Sequence, residues 1–173
     1  LTAKSAPPCV LVDRVANFGV VDTVTIDNVG AGESIGAHLG KSGHENVLIA
    51  ASDLAIHPIR QRADGVVAGL KRTGGETTIV QLGADPEVGA ALLSAWFDEN
   101  TAPTAICATT DMTTLAVLRF LADRQIDLPV GISVVGFDDY AWMSARRTKL
   151  TAIRQPVEEI AEAVWSQVLK RIN

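Results

Sequence analysis

The sequence predicts an α/β fold built on open, doubly wound parallel sheets. Short apolar runs alternate with stretches of helical spacing along almost the whole chain. The runs, such as Asn46-Val-Leu-Ile-Ala-Ala51 and Thr104-Ala-Ile-Cys-Ala108, lack polar alternation, which marks strands covered on both faces. No linker, low-complexity segment or short internal repeat interrupts the pattern.

The elements follow in order. Pro8-Cys-Val-Leu-Val-Asp13 reads as a strand ending in an acid, and Val24-Thr-Ile-Asp27 as a second extended piece. Asn28 opens a helix through Leu39, with Gly43 as its stop. Asn46 to Ala51 is an unbroken apolar strand. His57 to Lys71 has helical spacing, with Ile59, Val66, Val67 and Leu70 among its apolar positions. Thr77 to Gln81 is a strand, and Pro86 suits the first turn of a helix reaching Phe97. Thr104 to Ala108 is a strand, after which Asp111 can cap a helix through Ala122. Ile132 to Val135 is a further strand and Leu150 to Ile153 a short extended link. Pro156 to Ile172 is a closing helix, with Val157, Ile160, Ala161, Val164 and Val168 along one face.

The totals narrow the class. A length of 173 residues suits one domain or two small ones, and 47% hydrophobic residues supply a sizeable core. No apolar run is long enough to cross a membrane, and no charged segment followed by an apolar one marks a signal peptide after Leu1. Lys and Arg number 15 against 20 Asp and Glu, a net charge of -5 that argues against a nucleic-acid surface formed by these residues. The densest basic spots, Arg60, Arg62, Lys71 and Arg72, then Arg146, Arg147 and Lys149, read as solvated helix faces and ends. Cys9 and Cys107 each sit in an apolar run with no metal or redox spacing, so both are expected as buried free thiols, which fits a reducing compartment.

Open parallel sheets bind ligands outside the carboxyl ends of their strands. The informative positions are therefore Asp13, Ser52, Asp53, Gly83, Ala84, Thr109 to Asp111, and Asp138. Catalytic motifs are missing there: no Gly-x-Ser-x-Gly elbow, no phosphate loop, no Gly-x-Gly-x-x-Gly, and no histidine directly after a strand. Gly30-Ala-Gly32 lacks the third glycine and reads as helix-entry geometry. Asp138 and Asp139 are adjacent and point to different sides, which argues against a shared-proton dyad. No enzyme, metal or cofactor is expected. A polyhydroxylated ligand, by contrast, needs planar groups that bond neighbouring hydroxyls in pairs, and Asp13, Arg62 and Asp138 supply them. Asp13 could instead pair with Arg14, and Arg62 on spacing alone could be solvated. Asp138 is the strongest candidate, since an acid directly after Gly136-Phe137 ends a buried strand; Asp139 is left to cap or pair.

Val10-Leu-Val-Asp-Arg14, Val24-Thr-Ile-Asp-Asn28, Gly43-His44, Arg62-Ala-Asp-Gly65, Pro103-Thr-Ala-Ile106, Asp111, Ile132-Ser-Val-Val-Gly-Phe-Asp-Asp139 and Leu150-Thr-Ala-Ile-Arg-Gln-Pro156 occur in this order. The ordered set resembles the lactose/galactose repressor (LacI/GalR) family of transcription regulators over nearly the whole chain. The resemblance implies a periplasmic-binding-protein-like type I core: two α/β subdomains joined by crossovers, with a sugar or nucleobase/nucleoside effector between them. It implies an incomplete N-terminal subdomain in residues 1–26 plus 156–173, and a nearly complete C-terminal subdomain in residues 27–155. Family members bind operator DNA through a headpiece that this chain does not contain, form homodimers, and act in the cytoplasm, away from membranes. A periplasmic sugar receptor of a transporter shares the fold and is the alternative; Gly43-His44 and the Leu150 to Pro156 motif favour the repressor.

Carried over residue by residue, the resemblance places Arg62 and Asp138 on the effector, Asp13 in the pocket, and Ile26 and Val157 on its wall. Thr110 stands where the family usually has Asn, keeping a hydroxyl and losing an amide. Ala84 stands where many members place an aromatic; Phe18, Phe137 or Trp142 could compensate, although a core or interface role suits each of them better. Asp111 to Ala122 and Tyr140 to Arg147 correspond to parts of the dimer surface, where Trp142 and Met143 are either anchors or packed on their own subdomain.

Overall fold

The computed structural model describes residues 9–14, 21–145 and 147–172; Pro8, Phe18 and Arg146, named above, lie outside them. The chain divides into two compact units, one formed by the residues up to Asp27 with those from Gln155 onward, the other by Asn28–Arg154.

In the first unit, β1 (Val10–Val12) and β2 (Asp22–Val24) pair in parallel, with Val10 opposite Asp22. The second strand lies earlier than Val24 to Asp27, because this register places Val24 opposite the last residue of β1. Helix α6 (Val157–Ile172) packs on both strands, and Arg171 Nε reaches Asp22 Oδ2 at 2.5 Å. Its inner face is narrower than the expected stripe. Ile160, Val164 and Val168 are half-buried, but Val157 and Ala161 are exposed, because two strands of three residues cover only part of a 16-residue helix. Cys9, just before β1, is exposed rather than buried, since no second layer of described residues closes over that strand end.

The second unit holds a five-stranded parallel sheet: β3 (Asn46–Ala51), β4 (Glu76–Gln81), β5 (Ala105–Ala108), β6 (Ser133–Phe137) and β7 (Thr151–Ile153), in the order β4-β3-β5-β6-β7. The order reverses at β3. Right-handed crossovers therefore put α2 (His57–Lys71) on one face, and α3 (Pro86–Glu99) and α4 (Asp111–Asp123) on the other. Leu48, Ala50, Ile106 and Val134 enter a core with Leu93, Val117 and Phe120, while the intervening Val47, Ile49 and Cys107 are equally buried. Alternating residues of a strand face opposite sides, so both faces of the central strands are covered. β4, at the edge, is mostly exposed.

Helix α1 (Asn28–Lys41) lies along α2. Four glycines set their separation. A Cβ built at Gly32 would sit 2.2 Å from the Arg62 carbonyl oxygen, and one at Gly36 2.3 Å from that of Val66. Reciprocally, Gly65 and Gly69 lie under the carbonyls of Val29 and Glu33, at 2.3 Å for each built Cβ. Gly32 therefore serves helix packing, where sequence spacing suggested only an entry turn. Gly43 ends the α1 turn with φ 87°, a conformation glycine adopts freely.

The two thiols should separate experimentally. Burial pushes the Cys107 thiol up to about 12, so it stays protonated at pH 8. A thiol reagent at that pH should modify Cys9 at once and Cys107 only after unfolding. Two fast-reacting thiols in the native protein would contradict the buried position of β5.

Candidate functional site

The strand order reverses between β3 and β5, and the carboxyl ends of those strands are the position where open α/β sheets hold ligands. Arg62, in the second turn of α2, is buried at this end, 3% exposed. Its Nε donates to Asn28 Oδ1 at 2.7 Å, and Nη1 donates to the Thr109 carbonyl oxygen at 2.9 Å. The guanidinium carbon lies 3.8 Å from the centroid of the Phe137 ring. The fork is thus held by the start of α1, the end of β5 and the end of β6. A buried cation needs such partners, and a guanidinium over a desolvated aromatic face gains roughly 2 kcal/mol. Its planar, fixed donors suit paired hydroxyls or a carboxylate. Among the described residues, no buried side-chain nitrogen or oxygen lacks a partner.

Asp138 follows Phe137 directly and is half-buried, with φ 67°. The chain therefore turns sharply at the end of β6 in the left-handed region, which Asp tolerates better than bulky residues. The carboxylates of Asp111, first, and Asp138, second, with some burial, raise the Tyr140 hydroxyl above its ordinary value. Asp139 pairs with Arg154, whose Nε donates to Oδ2 at 2.9 Å.

Thr110, not Asp111, caps α4. Its backbone is extended, its Oγ1 accepts from the Thr113 N–H at 3.1 Å, and its own N–H donates to Thr113 Oγ1 at 3.0 Å. This reciprocal box engages the hydroxyl expected to meet a ligand. Asp111 is the first helical residue, where its charge favours the helix dipole. Ala84, after Gly83 at the end of β4, is exposed. Asp53 closes a local turn, its Oδ1 accepting from the Ala55 N–H at 2.8 Å. In α5 (Ala141–Ser144), Met143 is buried within its own unit and Trp142 half-buried, so Met143 is no surface anchor.

The other three expected residues belong to the first unit. Asp13 follows β1 with φ 50°, donates its N–H to the Val24 carbonyl at 2.9 Å, and accepts from Thr25 Oγ1 at 3.3 Å. Arg14 Nη1 reaches the Asp13 carbonyl oxygen at 2.8 Å. Ile26 is half-buried, and Val157, at the start of α6, is 65% exposed.

The structure thus brings Arg62 together with Asn28, Thr109 and Phe137, and sets Asp138 directly after Phe137. Asn28 read only as a helix start, and Phe137 as core or as a stand-in for the aromatic missing at Ala84; no local pattern links either to Arg62. Tyr140 read as part of an interface segment. Among the described residues, no group of three or more His, Cys, Asp or Glu could hold a metal ion, and no helix is long and apolar enough to cross a membrane.

Residues 37–173 match the model of a periplasmic binding protein-like domain. Catabolite control protein A of Priestia megaterium is 27% identical, over 98% of this chain and 52% of its own length. A LacI transcriptional regulator from a Rhodococcus species shares the fold with a TM-score of 0.85 at 29% identity, covering 95% of this chain and 62% of that one. A LacI family regulator of Enterococcus faecium, solved with bound ribose, has the same TM-score of 0.85 at 22% identity, over 95% of this chain and 62% of its own. The chain spans about half the length of most curated relatives it matches.

Proposed function

We propose, from the premise that the chain belongs to the periplasmic binding protein-like domain family as a core of the lactose/galactose repressor type, that it binds a small polyhydroxylated effector for a DNA-binding regulator. The observation that carries this reading is the buried guanidinium of Arg62, clamped between Asn28, Thr109 and Phe137 at the strand ends, with Asp138 following Phe137. An arginine fork and a carboxylate are the groups that hold vicinal hydroxyls. Asp13, Ile26, Ala84, Thr110 and Val157 complete the proposed lining, with Asn28 and Tyr140 added to it.

In this reading the first unit is part of an N-terminal subdomain and the second is a C-terminal one. Effector binding would shift the operator affinity of DNA-binding headpieces, in a cytoplasmic homodimeric repressor, with coupling on the order of 1–3 kcal/mol. The similar proteins are regulators rather than enzymes or transport receptors, which supports a regulator.

A panel of pentoses, hexoses and nucleosides, scored by the rise in Tm, tests this. One class should stabilise the protein. Asp138→Ala should then weaken calorimetric affinity roughly a hundredfold, the size of two charge-assisted hydrogen bonds, in a protein that still folds. Wild-type affinity in that variant, or no response across the panel, would refute the assignment.

A further inference from the structure

A second cavity, about 280 Å3, opens at the amino-terminal ends of β6 and β7, away from Asp138 at the other end of β6. The end of α1 and the turn after it contribute His38, Ser42 and His44; β6 contributes Ser133, and the approach to β7 contributes Lys149 and Thr151. Its walls are partly apolar, from Leu39, Leu128 and Leu150 among others, and its charge is one-sided. Two imidazoles, an ammonium and several hydroxyls line it, and no carboxylate does, in a chain of net charge -5. Glu45, next to His44 in the chain, lines a different cavity beside β4.

His44 is fixed in a form suited to this lining. The Thr104 hydroxyl has one proton, which it donates to the Asn46 carbonyl at 3.1 Å. Thr104 Oγ1 therefore accepts from His44 Nδ1 at 3.0 Å. Neutral His44 carries its proton on Nδ1, and a second proton converts Nε2 into a donor. Burial first, and the like charge of His38 second, hold the imidazole below its ordinary value. Charged groups facing it from the cavity walls are His38 on α1 and Lys149 before β7. A bound anion would favour the imidazolium.

We propose that this cavity is an oxyanion site that takes inorganic phosphate or the phosphoryl group of a small phosphate monoester. The inference does not rest on the effector reading, because the two sites occupy opposite ends of β6. It is tested by following the histidine and tyrosine ring resonances while adding phosphate, glycerol 3-phosphate or, at matched ionic strength, chloride. Saturable shifts of His38 and His44 are expected with the phosphates alone, and the affinity per phosphate dianion should rise as pH falls from 8 to 6, a window in which phosphate itself takes up a proton. Lys149→Ala, at an exposed position, should weaken binding roughly tenfold, the loss of one charge-assisted hydrogen bond. His44→Gln, which can keep the bond to Thr104, should flatten the pH dependence. Equal affinity for both phosphates identifies the free ion as ligand, and preference for glycerol 3-phosphate identifies a monoester; either supports the site. Shifts equal to those with chloride, full affinity in Lys149→Ala, or a response at Tyr140 in place of the histidines would overturn it.

Discussion

Arg62→Ala should cost the Asn28–Arg154 unit about 2–4 kcal/mol and remove effector binding altogether, because the substitution takes the guanidinium donors away from two buried acceptors at about 1–3 kcal/mol each. Asn28 Oδ1 and the Thr109 carbonyl each lose the bond from Arg62, and the Phe137 ring loses the cation above it. Arg62→Lys separates the two effects. Lysine keeps the charge but has no planar fork, so it cannot donate in two fixed directions at once. It should recover part of the stability and little of the binding. Urea unfolding followed by calorimetry with the effector found in the panel reads both. An Arg62→Ala protein as stable as the wild type would mean that the buried clamp contributes nothing; one that binds normally would remove Arg62 from the site.

The second large effect is expected at a residue that touches no ligand. Gly32→Ala introduces a methyl group at 2.2 Å from the Arg62 carbonyl oxygen and 3.0 Å from Gly65 Cα. Alanine gains about 1 kcal/mol of helix propensity over glycine, whereas overpacking costs about 1–3 kcal/mol and more against rigid backbone. The clash wins, leaving a net loss of about 2 kcal/mol, since neither neighbour is a side chain that can turn away. The helices must separate at the turn that carries Arg62, so the 2.7 Å bond to Asn28 lengthens and the fork moves. Gly69→Ala is the comparison. Its methyl would meet the Glu33 carbonyl at 2.3 Å, the same clash two turns farther along α2. The two variants should lose similar stability, while Gly32→Ala loses more effector affinity. Equal affinity in both would show that the helix spacing does not position Arg62.

Much of the second unit was legible along the chain. Buried parallel strands are continuous apolar runs, and amphipathic helices repeat near 3.6 residues, so β3, α2 and the start of α3 stand out by local pattern. The first unit was less legible. Cys9 sits in an apolar run as Cys107 does, yet one is exposed and the other buried, because burial depends on the layer that closes over a strand. Cap assignment shows the same limit on a smaller scale. Thr110 and Asp111 both carry cap-forming oxygens, and the extended backbone of Thr110, φ -146°, decides between them.

By itself the sequence determined the class of fold, the strand ends where a ligand would lie, and the acid after Gly136-Phe137, because periodicity and strand-end position are properties of neighbouring residues. The tertiary structure alone decided that Arg62 is a buried group and not a solvated one. Its partners stand 34 and 47 residues away in the chain, and one of them is a backbone carbonyl that no side-chain pattern records. It also decided what the glycines of α1 and α2 are for, since a glycine chosen for close approach differs from one chosen for a turn only in what lies against it.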